Sequence, residues 1–86
     1  MKAAALVAWN LRRLRVRCGL SQESLAVDAD VDRSYVGRLE RGLENPTVGI
    51  LERLAEILEV ELAEFFKVPG KNERPPRALP GGRRRK

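Results

Sequence analysis

The pattern of apolar and polar positions repeats one helix-start signal twice within residues 19–42, eleven residues apart. In each copy an apolar residue precedes a capping residue, and another apolar residue lies four positions after the cap: Leu20, Ser21, Leu25, then Val31, Asp32, Val36. This spacing is typical of a hydrophobic staple around an N-cap. It predicts a short helix over residues 21–29, a tight turn at residues 30–31 and a second helix over residues 32–41. Two short helices joined by such a turn form a helix-turn-helix.

The second predicted helix has one apolar face and one polar face. At 3.6 residues per turn, Val36 and Leu39 point toward the first motif helix. The opposite face carries Ser34, Gly37, Arg38 and Arg41, and Arg33 projects from the first turn. An ordinary solvated helix face has the same composition. The position of these residues on the second helix of the motif favours DNA, because this element enters the major groove in such proteins.

The remaining apolar residues also follow helical spacing, and no stretch alternates over the length of a strand. We therefore expect an all-α fold, with a last long helix starting at residues 46–47. The predicted core consists of Val7, Leu11, Leu14, Leu20, Leu25, Ala26, Ala29, Val31, Val36, Leu39, Val48, Leu51, Leu54, Ala55, Leu58, Val60, Leu62 and Phe65.

Five sequence segments together resemble a known family. They are LRRLR at residues 11–15, GLSQESLA at 19–26, RSYVGRLERG at 33–42, NPT at 45–47 and LERLAEILEV at 51–60. In this order and spacing they resemble the Cro and phage-repressor class of bacterial helix-turn-helix domains, the XRE family. The resemblance covers about residues 6–66 and implies a compact five-helix, lambda-repressor-like DNA-binding domain.

The resemblance also implies roles for individual residues. Gln22 matches a position that holds a DNA phosphate, and residues 41–45 match a loop that follows the DNA backbone. The implied base-reading residues are Arg33, Ser34 and Arg38, and the implied backbone contacts are Gln22, Tyr35, Arg41 and Asn45. Two departures from the family pattern occur at helix ends: Asp30 stands in the turn where glycine is usual, and Glu59 and Glu61 replace the usual glycine and capping residue before the last helix.

Glu40 is the charged residue that rotation places beside the predicted core, about 40° from Val36. A charge near the interior needs a partner, because removing one member of a buried pair costs roughly 3–5 kcal/mol. The resemblance implies that this partner is Arg15, on the first helix. The alternative is that the Glu40 side chain extends to solvent.

The chemistry available to this chain argues against an enzyme. It has no histidine, a single cysteine and no cluster of carboxylates at metal or acid-base spacing, so we expect no catalytic residues, no metal and no cofactor. Cys18 fits a reduced core filler better than a redox sensor. The N-terminal apolar run is too short for a signal peptide, and no segment approaches a membrane span, so we expect a cytoplasmic location.

Charge is distributed unevenly along the 86 residues. Residues 1–41 have a net charge of +3, residues 42–66 of −5 and residues 67–86 of +7. We expect one domain over residues 1–66, whose basic half meets DNA, followed by a disordered basic tail over residues 67–86. The tail could lie on DNA phosphates through residues 83–86, serve only solubility, or lie on the acidic half of its own domain.

These observations predict a sequence-specific, double-stranded DNA-binding transcriptional regulator, most simply a repressor. We expect a homodimer on a pseudo-palindromic operator, because one recognition helix spans only half a site. Dimerisation would use the domain itself, through its last helix. A restriction-modification controller is a related alternative. An antitoxin-type or adaptor protein, which binds a partner protein and uses DNA for autoregulation, is an alternative from another class.

Overall fold

The computed structural model describes residues 1–70, and the larger part of the predicted disordered tail, residues 71–86, lies outside this range. The described chain consists of helices and connections without a strand: α1 (Ala3–Cys18), α2 (Gln22–Asp28), α3 (Tyr35–Glu40), α4 (Val48–Leu58) and a 3-10 helix (Leu62–Phe66). The all-α prediction is confirmed. The expected fifth helix is a single 3-10 segment rather than an α-helix. No helix within residues 1–70 is both long and apolar enough to cross a lipid bilayer.

Side-chain caps begin two of the helices. Ser21 Oγ accepts a hydrogen bond from Ser24 N–H at 3.0 Å and begins α2, and Thr47 Oγ1 begins α4 in the same way. The prediction that the second motif helix begins at residue 32 was wrong by three residues. Asp32 Oδ2 accepts the Ser34 N–H at 3.0 Å, so this side chain closes a turn ahead of α3 instead of capping the helix directly.

All four α-helices end in the same left-handed motif. A residue one or two positions past the helix has positive φ in each case: Gly19 (74°), Asp30 (61°), Gly42 (75°) and Glu59 (58°). At each end two backbone N–H groups bond back to carbonyls of the last turn, for example Gly42 to Leu39 and Leu43 to Arg38, both at 3.0 Å. This is the Schellman arrangement. Asp30 and Glu59 therefore occupy a conformation that favours glycine.

The core lies where α1, α2, α3, α4 and the 3-10 helix meet. Leu11, Leu14, Leu25, Leu39 and Phe65 are fully buried, and most other predicted core residues are buried or packed against them. The prediction for Val48 was wrong, since this residue is 69% exposed. Helical side chains lean toward the N-terminus of their helix, and Val48 begins α4, so it leans over the preceding loop rather than onto the core.

A buried amide, which the sequence analysis did not single out, holds the C-terminal segment on α1. Asn10 is 1% exposed, and its Nδ2 donates to the carbonyl oxygens of Phe65 at 2.9 Å and Lys67 at 2.8 Å. Its Oδ1 accepts two hydrogen bonds from Arg13, which also pairs with Glu64 at 3.2 Å. The hydrogen bond that Arg13 donates to Glu64 is the main reason why the pKa of the Glu64 carboxyl lies below its usual value. The 3-10 helix is thus fastened through polar contacts as well as through Phe65.

We predict that Glu59→Gly stabilises the domain. Relief of the left-handed conformation is worth about 1–2 kcal/mol, and the more flexible unfolded chain offsets about 0.4–1 kcal/mol of it. The free energy of unfolding should rise by about 0.5–1 kcal/mol in urea titrations. The control is Glu52→Gly on the exposed face of α4, which should lower it by about 1 kcal/mol. A Glu59→Gly protein no more stable than the parent would contradict the strain argument.

Candidate nucleic-acid interface

A buried ion pair joins α1 to α3 behind the candidate interface. Arg15 Nε donates to Glu40 Oε2 at 2.6 Å and Nη2 donates to Oε1 at 3.0 Å, so the contact is bidentate. The two side chains are only 5% and 2% exposed. Arg15 Nη1 also donates to the Leu20 carbonyl at 2.8 Å, just ahead of α2. One guanidinium therefore connects the first three helices.

Gln22 is the third side chain of this buried cluster. Its Nε2 donates to Glu40 Oε1 at 3.0 Å across the face of Gly37. Gly37 is half-buried rather than exposed as predicted, and a Cβ at this position would lie 3.2 Å from Gln22 Oε1. Glycine thus allows α2 and α3 to approach closely. An amide nitrogen has two N–H groups, so Gln22 can donate to Glu40 and still offer a hydrogen to a phosphate.

Arg38 lies on the open side of α3, but its guanidinium is paired within the protein. Its Nε donates to Glu44 Oε2 at 2.7 Å, and its Nη1 lies 3.5 Å from Asp32 Oδ2. Nη1 also donates to Ser34 Oγ, and the guanidinium carbon lies 5.8 Å from the centre of the Tyr35 ring. The hydrogen bond to Glu44 raises the pKa of Arg38 above its usual value, so this group stays charged.

Ser34 connects Arg38 to Asp32. The Ser34 hydroxyl accepts from Arg38 Nη1 and donates to Asp32 Oδ2, which also accepts the Ser34 backbone N–H. These bonds to Ser34 lower the pKa of the Asp32 carboxyl. Burial raises the pKa of Tyr35, and the nearby Glu44 charge raises it further. The two candidate base-reading residues Ser34 and Arg38 are therefore parts of one hydrogen-bonded unit.

The other sequence-predicted contacts surround this unit. Arg33 is 71% exposed at the end of the motif turn, just ahead of α3, where its Nη1 lies 2.9 Å from Glu23 Oε2 on α2. Arg41 and Asn45 are exposed in the loop that follows α3, and Tyr35 is half-buried. The structure thus brings Arg33, Ser34, Tyr35 and Arg38 together at the beginning of α3, and places Arg41 and Asn45 past its end.

The acidic partners are what the sequence analysis missed. Helical rotation placed Arg38 on the polar face of the second motif helix and Arg33 in its first turn. In the structure Glu23 pairs with Arg33, and Asp32 and Glu44 pair with Arg38. Asp32 and Arg38 are six residues apart, and so are Arg38 and Glu44. This spacing joins neither pair on one continuous helix. The pairs form because Asp32 and Glu44 lie in the turns before and after α3, where the chain bends back toward Arg38. The positions of these turns depend on where α3 begins and ends.

Comparison with known proteins agrees with this geometry. A family model described as helix-turn-helix, HTH_3, matches residues 11–65. The chain belongs to the HTH_3 helix-turn-helix family. The matched residues contain the Arg15–Glu40 cluster, the Arg38 unit and the loop after α3.

Individual HTH_3 relatives are transcription factors and a controller protein. The HTH-type transcriptional regulator SlrR of Bacillus subtilis is 44% identical over 57 residues, 65% of this chain and 38% of SlrR. The crystal structure of the hypothetical transcription factor NHTF from Neisseria is similar with a TM-score of 0.76 and 35% identity, covering 79% of this chain and 78% of that one. The restriction-modification controller C.AhdI from Aeromonas hydrophila gives a TM-score of 0.70 and 43% identity, over 73% and 91% of the two chains.

The similarity to some relatives is limited to part of their length. The chain spans 38% of SlrR and 61% of the full Neisseria factor. The shared part is the helix-turn-helix domain itself.

We predict that Glu40→Gln strongly destabilises the domain, because it leaves the Arg15 charge buried without its counter-ion. The free energy of unfolding should fall by about 3 kcal/mol, at the lower end for a broken buried pair. Glu23→Gln, which removes the partner of the exposed Arg33, serves as the control and should change it by less than about 0.5 kcal/mol. Similar small losses in both variants, measured by urea titration, would show that Arg15 finds solvent when Glu40 is neutral.

Proposed function

We propose that this chain is a sequence-specific double-stranded DNA-binding transcriptional regulator, acting as a repressor where its site overlaps a promoter. The observation that carries the proposal is the Ser34–Arg38 unit at the start of α3, the second helix of the motif. Residues at the N-terminal end of this helix reach base edges in helix-turn-helix proteins. In this proposal Arg38, Ser34 and Arg33 read bases, while Gln22, Tyr35, Arg41 and Asn45 contact the backbone.

The second part of the proposal is a homodimer on a pseudo-palindromic operator. Helix α3 has six residues and can read only one half-site. Two copies would place two such helices one DNA turn apart, about 34 Å. The core within residues 1–70 is small, and domains of this size often gain stability by association. The last helix is the proposed contact, and its Phe66 is 47% exposed.

Arg38→Ala tests the base-reading assignment. Arginine bidentate to guanine gives roughly 5- to 150-fold discrimination, so this variant should lose affinity for a site selected from a random DNA pool by a factor in that range. Binding to random DNA should change much less, and the melting temperature should stay nearly constant, because Arg38 is outside the core. Arg53→Ala on the exposed face of α4 is the matched control. Equal losses on selected and random DNA would identify Arg38 as a phosphate contact only.

Sedimentation velocity tests the dimer. We expect a dimer at micromolar concentration, or two protein chains per selected full-length site, because one α3 covers only half of such a site. Phe66→Glu should shift free protein toward monomer without unfolding it. A single chain on a full site, together with a monomer in solution, would contradict the dimer.

A restriction-modification controller is the second candidate function. It is favoured by the similarity to C.AhdI, of which this chain covers 91%. Such a regulator should stand beside genes for an endonuclease and a methyltransferase, and its selected site should occur upstream of them. A selected site upstream of unrelated genes only would favour the general repressor.

A further inference from the structure

The recognition segment, residues 31–45, contains as many acidic as basic side chains. Its three arginines, Arg33, Arg38 and Arg41, are balanced by Asp32, Glu40 and Glu44. Glu40 is buried against Arg15, but Asp32 and Glu44 both point at Arg38 on the open side of α3. A carboxylate on a DNA-facing surface repels phosphate, so this arrangement needs a function that outweighs that cost.

The turn after α3 places the Glu44 side chain next to Arg38. Gly42 adopts a φ of 75°, and Leu43 N–H bonds to the Arg38 carbonyl at 3.0 Å, so the chain turns back over the last turn of α3. This brings the Glu44 carboxylate onto the Nε of Arg38 at 2.7 Å. The Glu44 side chain is 29% exposed, which places the contact at the edge of the surface rather than in bulk solvent.

The hydrogen bond to Glu44 occupies Nε of the Arg38 guanidinium and does not involve its two terminal nitrogens. Arginine has five N–H groups, on Nε, Nη1 and Nη2. Glu44 accepts from Nε, and Ser34 Oγ and Asp32 lie at Nη1, whereas Nη2 makes no hydrogen bond within residues 1–70. A guanidinium reads guanine O6 and N7 with two N–H groups. With Nε held by Glu44, the Nη1–Nη2 end is the part left to read a base, because Nη1 has a second N–H beside the one that bonds Ser34 Oγ.

We propose that Glu44 is a specificity-determining positioning residue: it holds Arg38 through Nε for end-on base reading, and its charge keeps Arg38 from settling on phosphates. This inference rests on the proposed DNA-binding function. Loss of the carboxylate frees the guanidinium to swing to the backbone, where a contact contributes affinity without sequence information. The domain would then bind more DNA sequences, and bind each with less discrimination.

The experiment compares wild type, Glu44→Ala and Glu44→Gln on the same DNA. Wild type is first used to select sites from a random duplex pool. Each protein is then titrated with the selected site, with its single-base variants and with random duplex at three salt concentrations. Glu44→Gln keeps an acceptor for Nε but removes the charge, so it separates alignment from repulsion. Glu56→Gln on the exposed face of α4 removes the same charge away from Arg38.

For Glu44→Ala we expect tighter binding to random duplex and a salt slope steeper by about one unit, the value for one added phosphate contact. Preference at one base pair per half-site should fall at least about fivefold. Glu44→Gln should strengthen random binding as well but keep most of the base preference. In an Arg38→Ala background, Glu44→Ala should no longer change base preference, because the two residues act as one unit.

Two results would overturn the inference. Unchanged base preference and salt slope in Glu44→Ala would show that the Arg38–Glu44 contact is incidental to recognition. A uniform loss of affinity with unchanged preference and a lower melting temperature would show that Glu44 only stabilises the loop. If wild type enriches no sequence from the pool, the proposed function fails and this inference fails with it. Wild-type enrichment with an indifferent Glu44→Ala would reject the inference alone.

Discussion

The buried pair between Arg15 and Glu40 is the contact on which the rest of the structure depends. It joins α1 to α3, and through Leu20 and Gln22 it also fixes the start of α2. Buried charges fit only where every partner is in place, because their desolvation cost is large. The relative orientation of the two motif helices is therefore set by hydrogen-bond geometry as well as by apolar packing. Apolar side chains alone tolerate several arrangements of similar energy.

The sequence predicted the fold better than it predicted the surface chemistry. The staple pattern around Ser21 located α2 correctly, because caps and apolar spacing are local signals that tertiary contacts reinforced. Asp30 was correctly placed in the turn at a position where glycine is usual, and its φ of 61° is the left-handed conformation that glycine favours. The start of α3 was misplaced because an aspartate can close either a helix or a turn, and the two share one local pattern. The fifth helix was expected from the family resemblance, and the five residues Leu62–Phe66 form a 3-10 helix, the form that short helical segments often take.

The pairing of the candidate base-reading residues was beyond what spacing could predict. Rotation around α3 correctly placed Arg38 on the open side, but rotation describes a single helix only. Glu44 and Asp32 belong to the loops on either side, and their approach to Arg38 depends on turns whose geometry is set by Gly42 and Ser34. Because Ser34 accepts from Arg38 and donates to Asp32, the orientation of each depends on the other two. A substitution at one of them therefore changes the geometry of the whole unit.

The contact region between α1 and the C-terminal segment contains an intrinsic fluorescent probe. Trp9 is the chain's single tryptophan, and its indole Nε1 is buried without a hydrogen-bond partner among residues 1–70. Trp9 lines a small cavity together with Asn10, Arg13, Lys67 and Val68, at the point where Asn10 holds the chain after the 3-10 helix. Indole fluorescence depends on solvation. Release of this segment would expose the ring to water, so detachment of the C-terminal end can be followed by emission wavelength separately from unfolding of the helix-turn-helix.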